Sequence, residues 1–230
     1  MPIKEYEIDK LAKEESWRMF RIIGELVEGF DTLTGIEPAV SFYGSARLKE
    51  NDELWKQTED IAYRLGKLGY NIITGGGPGV MAAANSGARR AGVVSVGLNI
   101  ELPEEQVINP YTTKSITFHH FFVRKVMLVK YATAFIIMPG GLGTLDEMTE
   151  VLTLIQTGKS RPFPVLLFGS EFWKGFTDWL QSASLAKGFI SPEDILLLRV
   201  FDRPEDIVEA IQTWRGQQRV IGKAIFEPWG

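Results

Sequence analysis

Two charged side chains frame the stretch of this sequence best suited to chemistry. Arg124, followed by Lys125, lies just before an apolar run, Thr133-Ala-Phe-Ile-Ile-Met138, and Glu147 lies just after it. The run reads as a buried strand that stops at Pro139 and a glycine turn, with an amphipathic helix opening at Thr144 and running through Gln156. A strand, a glycine turn and a helix start present free backbone N–H groups and a positive dipole end to an anion. Gly140, Gly141 and Gly143 let the backbone approach a phosphate without a Cβ in the way. Glu147 falls one turn into the helix, where the sugar of such a phosphate would lie. A helix start favours its ionised form, and an ionised carboxylate there can stabilise an oxocarbenium-like charge and position a water, as glycosidic cleavage requires. The competing local reading is a capping box, Thr144-x-x-Glu147, in which the glutamate bonds the N-cap backbone. Arg124-Lys125 is flanked by Phe121, Phe122, Val123, Val126 and Met127, so at least one of the two charges is expected to be partly buried and to need an anionic partner.

Two more glycine turns follow predicted strands, Gly44-Ser-Ala-Arg47 and Gly75 to Gly79, and contribute Gly44, Ser45, Gly76 and Gly77 as candidate phosphate-site residues. The second turn departs from the dinucleotide fingerprint G-x-G-x-x-G, with Val80 at the sixth position, and it follows the second sheet strand. The triphosphatase pattern G-x-x-x-x-G-K-[ST] is absent. His119-His120 has no third ligand at metal spacing and reads as a loop or helix-start pair, so no metal is expected. Nothing marks Lys125 or Lys130 as a desolvated Schiff-base lysine, and no cofactor is expected.

The elements that must position these residues alternate. One or two leading helices carry Ile8, Leu11, Phe20, Ile23, Val27 and Phe30 at helical spacing and end near Gly35 and Pro38. Strands are expected at 38–43, 71–74, 91–97, 115–118, 133–138, 164–168 and 195–201, and helices at 52–68, 82–90, 121–131, 144–156, 171–180 and 204–214, with 99–111 as a surface loop. Such alternation predicts an α/β fold, a Rossmann-like doubly wound parallel sheet with helices on both faces and an extra N-terminal helix. No repeat or linker divides the chain, so residues 1–230 are expected to form one domain, with 1–37 as its leading helical segment. In such a sheet the strand C-termini share one edge, where ligands bind.

Composition narrows the partners. With 230 residues and 45% hydrophobic content a large core can form unaided. A formal net charge of −4 argues against a nucleic-acid polymer or a membrane surface as partner. The absence of cysteine excludes disulfides and thiol catalysis. The opening residues lack the apolar core of a signal peptide, and no apolar run reaches membrane-spanning length, so a soluble cytoplasmic protein is expected.

Arg124-Lys125 and Pro139-Gly-Gly-Leu-Gly-Thr-Leu-Asp-Glu147 together resemble the R-K and P-G-G-x-G-T-x-x-E motifs of the Lonely Guy (LOG) family. Members are cytokinin riboside 5′-monophosphate phosphoribohydrolases, and many bacterial relatives carry a "lysine decarboxylase" label. The resemblance runs from about Val40 through Gly169. It implies that Arg124 and Glu147 are the catalytic pair and that the Gly140–Thr144 backbone and the Thr144 hydroxyl hold a 5′-phosphate. The chain departs from plant-like members in having Phe122-Val123 where they carry His-Glu, and Asp146 where many have a first glutamate. The function implied is hydrolysis of the N-glycosidic bond of a nucleoside 5′-monophosphate, cytokinin-like or AMP-like, to free base and ribose 5-phosphate. The rival is a non-catalytic nucleotide-binding or sensing module on the same fold. A homodimer is also expected. The helix 144–157 shows a wide apolar stripe, Leu145, Met148, Val151, Leu152, Leu154 and Ile155, and members of the resembled family are commonly dimers.

Overall fold

A computed structural model describes residues 15–102 and 109–225. The chain runs α1 (Glu15–Leu33), β1 (Ala39–Tyr43), α2 (Glu53–Lys67), β2 (Asn71–Thr74), α3 (Val80–Ala91), β3 (Ser95–Ile100), β4 (Lys114–Phe118), α4 (Phe121–Lys130) and β5 (Ala132–Ile137). It continues through α5 (Leu142–Gln156), β6 (Val165–Phe168), α6 (Ser170–Trp179), a π-helical turn at Leu180–Leu185, α7 (Pro192–Ile195), β7 (Leu198–Phe201) and α8 (Pro204–Ile225). The strands form one seven-stranded sheet in the order β4-β3-β2-β1-β5-β6-β7, and every pairing is parallel. This is the α/β Rossmann-like class expected from the alternation. The order reverses between β1 and β5, which places the ends of β1, β2 and β5 side by side at the switch point.

Period-two alternation sends the side chains of these strands to two cores. Val40, Phe42, Ile72, Ala134 and Ile136 join Ile61, Leu65, Val80, Ala84, Ile207 and Ile211 from α2, α3 and α8 on one face. Tyr43, Ile73, Phe135 and Ile137 join Leu33, Val123, Met127, Met148, Val151 and Trp173 from α1, α4, α5 and α6 on the other. Both faces are covered, so β1 and β5 are buried almost throughout, as parallel central strands must be. Burying each large apolar side chain contributes about 1.5–3 kcal/mol, and fully enclosed Phe42, Phe135 and Trp173 anchor the sheet to its helices.

Several boundaries differ from the sequence reading. The third strand runs to Ile100, so Asn99 lies in the sheet and not in a loop. The segment expected as a strand from Ile195 divides into α7 and β7, because Ser191 and Asp194 form a reciprocal capping box with Pro192 at the helix start. Ile8 and Leu11 of the leading helix, and Pro103 of the expected loop, lie outside the described residues. Among the described residues no helix is long and apolar enough to cross a membrane.

Candidate active site

The three glycine turns meet at the switch point and bond to one another. The β1–β5 ladder continues past both strands as Met138 N–H donates to Tyr43 O at 2.8 Å and Ser45 N–H donates to Pro139 O at 3.0 Å. Val80 N–H, at the start of α3, donates to Ser45 O at 2.9 Å. Gly79 sits at φ +69°, and a Cβ there would collide with the Ser45 carbonyl, so the second turn approaches the first more closely than any other residue would allow. Both backbone polar groups of Ser45 are therefore engaged within the protein. Its hydroxyl accepts from Arg47 N–H at 3.1 Å and keeps its own proton to donate. Gly44 is packed under Val80, whose side chain fills the place of its missing Cβ.

The third turn is different. Helix α5 opens at Leu142 with Gly141 as its N-cap, two residues earlier than expected. Thr144 is thus the third helical residue, not the cap, and no side chain caps the helix, so the capping-box reading of Thr144 and Glu147 does not hold. The N–H groups of Leu142, Gly143 and Thr144 donate to no acceptor among the described residues, as befits the first turn of a helix. The space where Gly141 and Gly143 would carry a Cβ is open. At Gly140, by contrast, the Thr144 hydroxyl fills the place a Cβ would take, a place that also lies 3.0 Å from Ser45 N. Free N–H groups at the start of a helix, with open space above the neighbouring glycines, are what an anion needs.

Glu147 reaches back to Arg124. Arg124 Nη2 donates to Glu147 Oε1 at 2.7 Å, and the two side chains are only 12% and 15% exposed. The guanidinium lies above the second turn, with Nη1 3.6 Å from the position a Gly75 Cβ would take, and its Cζ is 5.6 Å from the centre of the Phe121 ring. Its Nε is buried without a partner among the described residues. The pair brings together the two charges that the sequence singled out from different helices. Burial raises the Glu147 pKa above that of an ordinary carboxylate. Arg124 opposes that rise, and Asp146 adds to it. Glu147 is the sixth residue of α5, past the first turn in which a helix start favours an ionised acid, and desolvation is the largest influence on it.

Lys125 turns away from Arg124 toward Asp146 and Glu150, at 3.0 and 3.3 Å. Burial pulls its pKa down, but the Asp146 and Glu150 carboxylates outweigh that and hold the ammonium above its usual value. Tyr43, at the end of β1, is kept a neutral phenol by its burial and by the nearby Glu147 and Glu150 charges. Gly76 and Gly77 belong to the second turn, which hangs on a buried polar network that sequence reasoning missed. Gly76 N–H donates to Thr74 Oγ1 (3.0 Å), and that hydroxyl donates to Asn85 Oδ1 (2.6 Å). Asn109 Nδ2 donates to both Asn85 Oδ1 (2.9 Å) and Gly77 O (3.2 Å). The signal available was an asparagine in an alanine-rich helix, a residue type that weakens a helix unless its amide is needed. Among the described residues no cluster of histidines and acids could hold a metal ion.

Comparison with known proteins bears on this arrangement. A family model described as "possible lysine decarboxylase" matches residues 81–211. The cytokinin riboside 5′-monophosphate phosphoribohydrolase LOG of Oryza sativa subsp. japonica is 32% identical over 146 residues, which span 59% of this chain and 58% of that protein. A cytokinin riboside 5′-monophosphate phosphoribohydrolase of Mycobacterium tuberculosis is 28% identical over 160 residues, 69% of this chain and 85% of that one. Among solved structures, the Moco carrier protein of Chlamydomonas reinhardtii superposes with a TM-score of 0.55 at 23% identity, covering 78% of this chain and 98% of its own. At that identity the likeness is one of fold.

Proposed function

The chain belongs to the LOG family, whose model bears the description "possible lysine decarboxylase", and on that premise we propose that it hydrolyses nucleoside 5′-monophosphates to free base and ribose 5-phosphate. The observation that carries the reading is the buried Arg124–Glu147 pair beside an open helix N-terminus. Binding a phosphate needs the turn but does not need the glutamate. In the proposed reaction the 5′-phosphate sits on the Gly141–Thr144 backbone and the Thr144 hydroxyl, and the Ser45 hydroxyl completes the cradle. The C1′–N bond breaks with its electron pair leaving on the base, while positive charge develops on the ribose. Glu147 faces that charge and orients a water whose oxygen bonds to C1′. One water proton passes through the carboxylate to the departing base, and the other stays on the new hydroxyl. A carboxylate with a raised pKa is the better base for that proton. Arg124 holds Glu147 in place and contacts the ribose or phosphate. Relatives named for cytokinin riboside 5′-monophosphate support that ligand class, and AMP is the simplest member to try.

The decisive assay incubates the protein with AMP, cytokinin riboside 5′-monophosphates and the matching nucleosides, and measures free base. Release from the monophosphates, with nucleosides at least about 10²-fold slower because they forgo the orienting anion, is the expected result. Equal rates on AMP and adenosine would remove the role given to the third turn. Tight binding without turnover would leave the protein a nucleotide sensor.

A homodimer belongs to the same proposal, with its surface revised. Met148 and Val151 are buried within one subunit, at 0% and 1% exposure, and so cannot be contact residues. Phe121, Phe122 and Val126 on α4 remain about half exposed beside the site, and a second copy is placed there. Light scattering at micromolar concentration, with Phe122→Glu as the disrupting variant, tests it.

A further inference from the structure

Arg124 is held at its backbone as well as at its guanidinium, and the outer support comes from α1. Glu25 of α1 is buried, at 8% exposure. Its Oε2 accepts from His120 N–H at 3.3 Å, and its Oε1 lies 3.0 Å from His120 Nδ1 and 3.2 Å from His119 Nδ1. His119 Nε2 in turn lies 2.7 Å from Glu101. His120 is the N-cap of α4, and its carbonyl accepts from Arg124 N–H at 3.2 Å. One bonded path therefore runs from Glu25 through His120 to Arg124 and on to Glu147. A carboxylate at that end of α4 also complements the helix dipole.

A second contact fixes the other side of the arginine. Gly29, one turn after Glu25 on the same face of α1, packs against Met127 so closely that a Cβ would lie 2.7 Å from its Cε. Met127 is buried and lies one turn beyond Val123, so α1 grips α4 just before and just after Arg124. Beyond it, Tyr131 OH donates to Phe30 O at 3.3 Å. Helix α1 lies outside the residues matched by the family model, so this support is not part of what the match describes.

We propose that α1 is a splint for the catalytic arginine and that Glu25 is a positioning residue acting on Arg124 through His120. The proposal rests on the hydrolase reading for its kinetic arm, and a structural arm stands apart from it. Three variants decide the matter: Glu25→Ala, Glu25→Gln, and Glu28→Ala as a control at an exposed position of α1. Glu25→Ala should lower kcat on a nucleoside monophosphate about tenfold with KM within about twofold, since small misplacement of an aligned group slows the chemical step more than binding. It should also speed hydrogen exchange at the Arg124–Met127 amides. Glu25→Gln, whose amide oxygen still accepts from His120 N–H, should restore most of the rate, and Glu28→Ala should change nothing. Parent-like kcat and exchange in Glu25→Ala would overturn the splint. So would equal losses in the Ala and Gln variants that track the fraction of folded protein by circular dichroism. If the parent itself turns over no nucleoside monophosphate, the hydrolase reading falls, and exchange alone judges the splint: faster exchange in Glu25→Ala supports it and unchanged exchange overturns it.

Discussion

The turn after β1 and the turn after β5 look alike in sequence, each a glycine-bearing break following a buried strand, yet they do different work. In Gly44–Arg47 the Ser45 amide, the Ser45 carbonyl and the Gly44 Cα are all occupied by the neighbouring turns. In Gly140–Thr144, among the described residues, the first-turn N–H groups of α5 have no acceptor and nothing stands over Gly141 and Gly143. A glycine after a strand thus has two uses, close packing of backbone on backbone or room for a ligand. Local sequence does not tell them apart, because what decides is the turn on the adjacent strand. Only the open turn leads into a helix that delivers a carboxylate to Arg124.

The sharpest break between the turns is therefore Glu147→Gln. The amide keeps the shape and can still accept from Arg124, so circular dichroism and Tm should stay near the parent's. Free-base release should fall about 10²-fold or more, since the carboxylate acts on the reacting sugar. Near-normal turnover would leave Glu147 as a partner for Arg124 and nothing more.

A pair of alanine substitutions separates clamp from cradle. Gly79→Ala puts a Cβ into the Ser45 carbonyl at a positive φ, so it should cost about 1–3 kcal/mol of folding stability, read as a lower Tm. Gly141→Ala meets no atom and has an ordinary extended φ of −97°, so Tm should hold. Its methyl enters the anion's space, and KM for the nucleotide should rise about tenfold, the equivalent of one charge-assisted hydrogen bond. If Gly141→Ala lost stability and Gly79→Ala lost only affinity, the assignment of the two turns would be reversed.

The pH dependence of activity follows from the burial of Glu147. Desolvation raises its pKa, with Arg124 opposing, so the active carboxylate is lost on acidification at a higher pH than for an exposed glutamate. The acid limb of the kcat/KM profile should lie above the usual carboxylate range and be absent from the residual activity of Glu147→Gln. For stability the sign is opposite to that of a salt-bridged acid with a lowered pKa. A raised folded-state pKa contributes stability below the unfolded value, and that contribution is lost as pH rises through the folded value.

Much of this was legible in the chain. Alternating apolar runs and glycine stops fixed the class of sheet, since strand length and helical period are local properties. Arg124 was visible because a charge set among apolar neighbours needs a partner, and Glu147 because it follows a glycine turn at a helix start, though that each is the other's partner shows only in the fold. The open or closed state of each turn was not legible, because it depends on strand order. The roles of Glu25, His120 and Asn85 were hidden for the same reason: their bonds cross 95, 95 and 11 positions and leave no periodic trace. Burial likewise raises the Glu147 pKa, an effect that a local reading of the helix start does not carry.

The smallest effect is expected at Ser45, and it tests how complete the contrast between the turns is. With its amide held by Pro139 and its carbonyl by Val80, Ser45 can meet a ligand only through its hydroxyl proton. Ser45→Ala leaves both backbone bonds in place and removes only the oxygen that accepts from Arg47 N–H. The loss of that exposed bond should cost no more than about 1 kcal/mol of stability. If the hydroxyl also donates to the phosphate, KM should rise about threefold with kcat unchanged, the mark of a contact made equally in ground and transition states. An unaltered KM would make the first turn a clamp alone and sharpen the comparison. A rise as large as that of Gly141→Ala would erase it, because the closed turn would then be holding the anion as firmly as the open one.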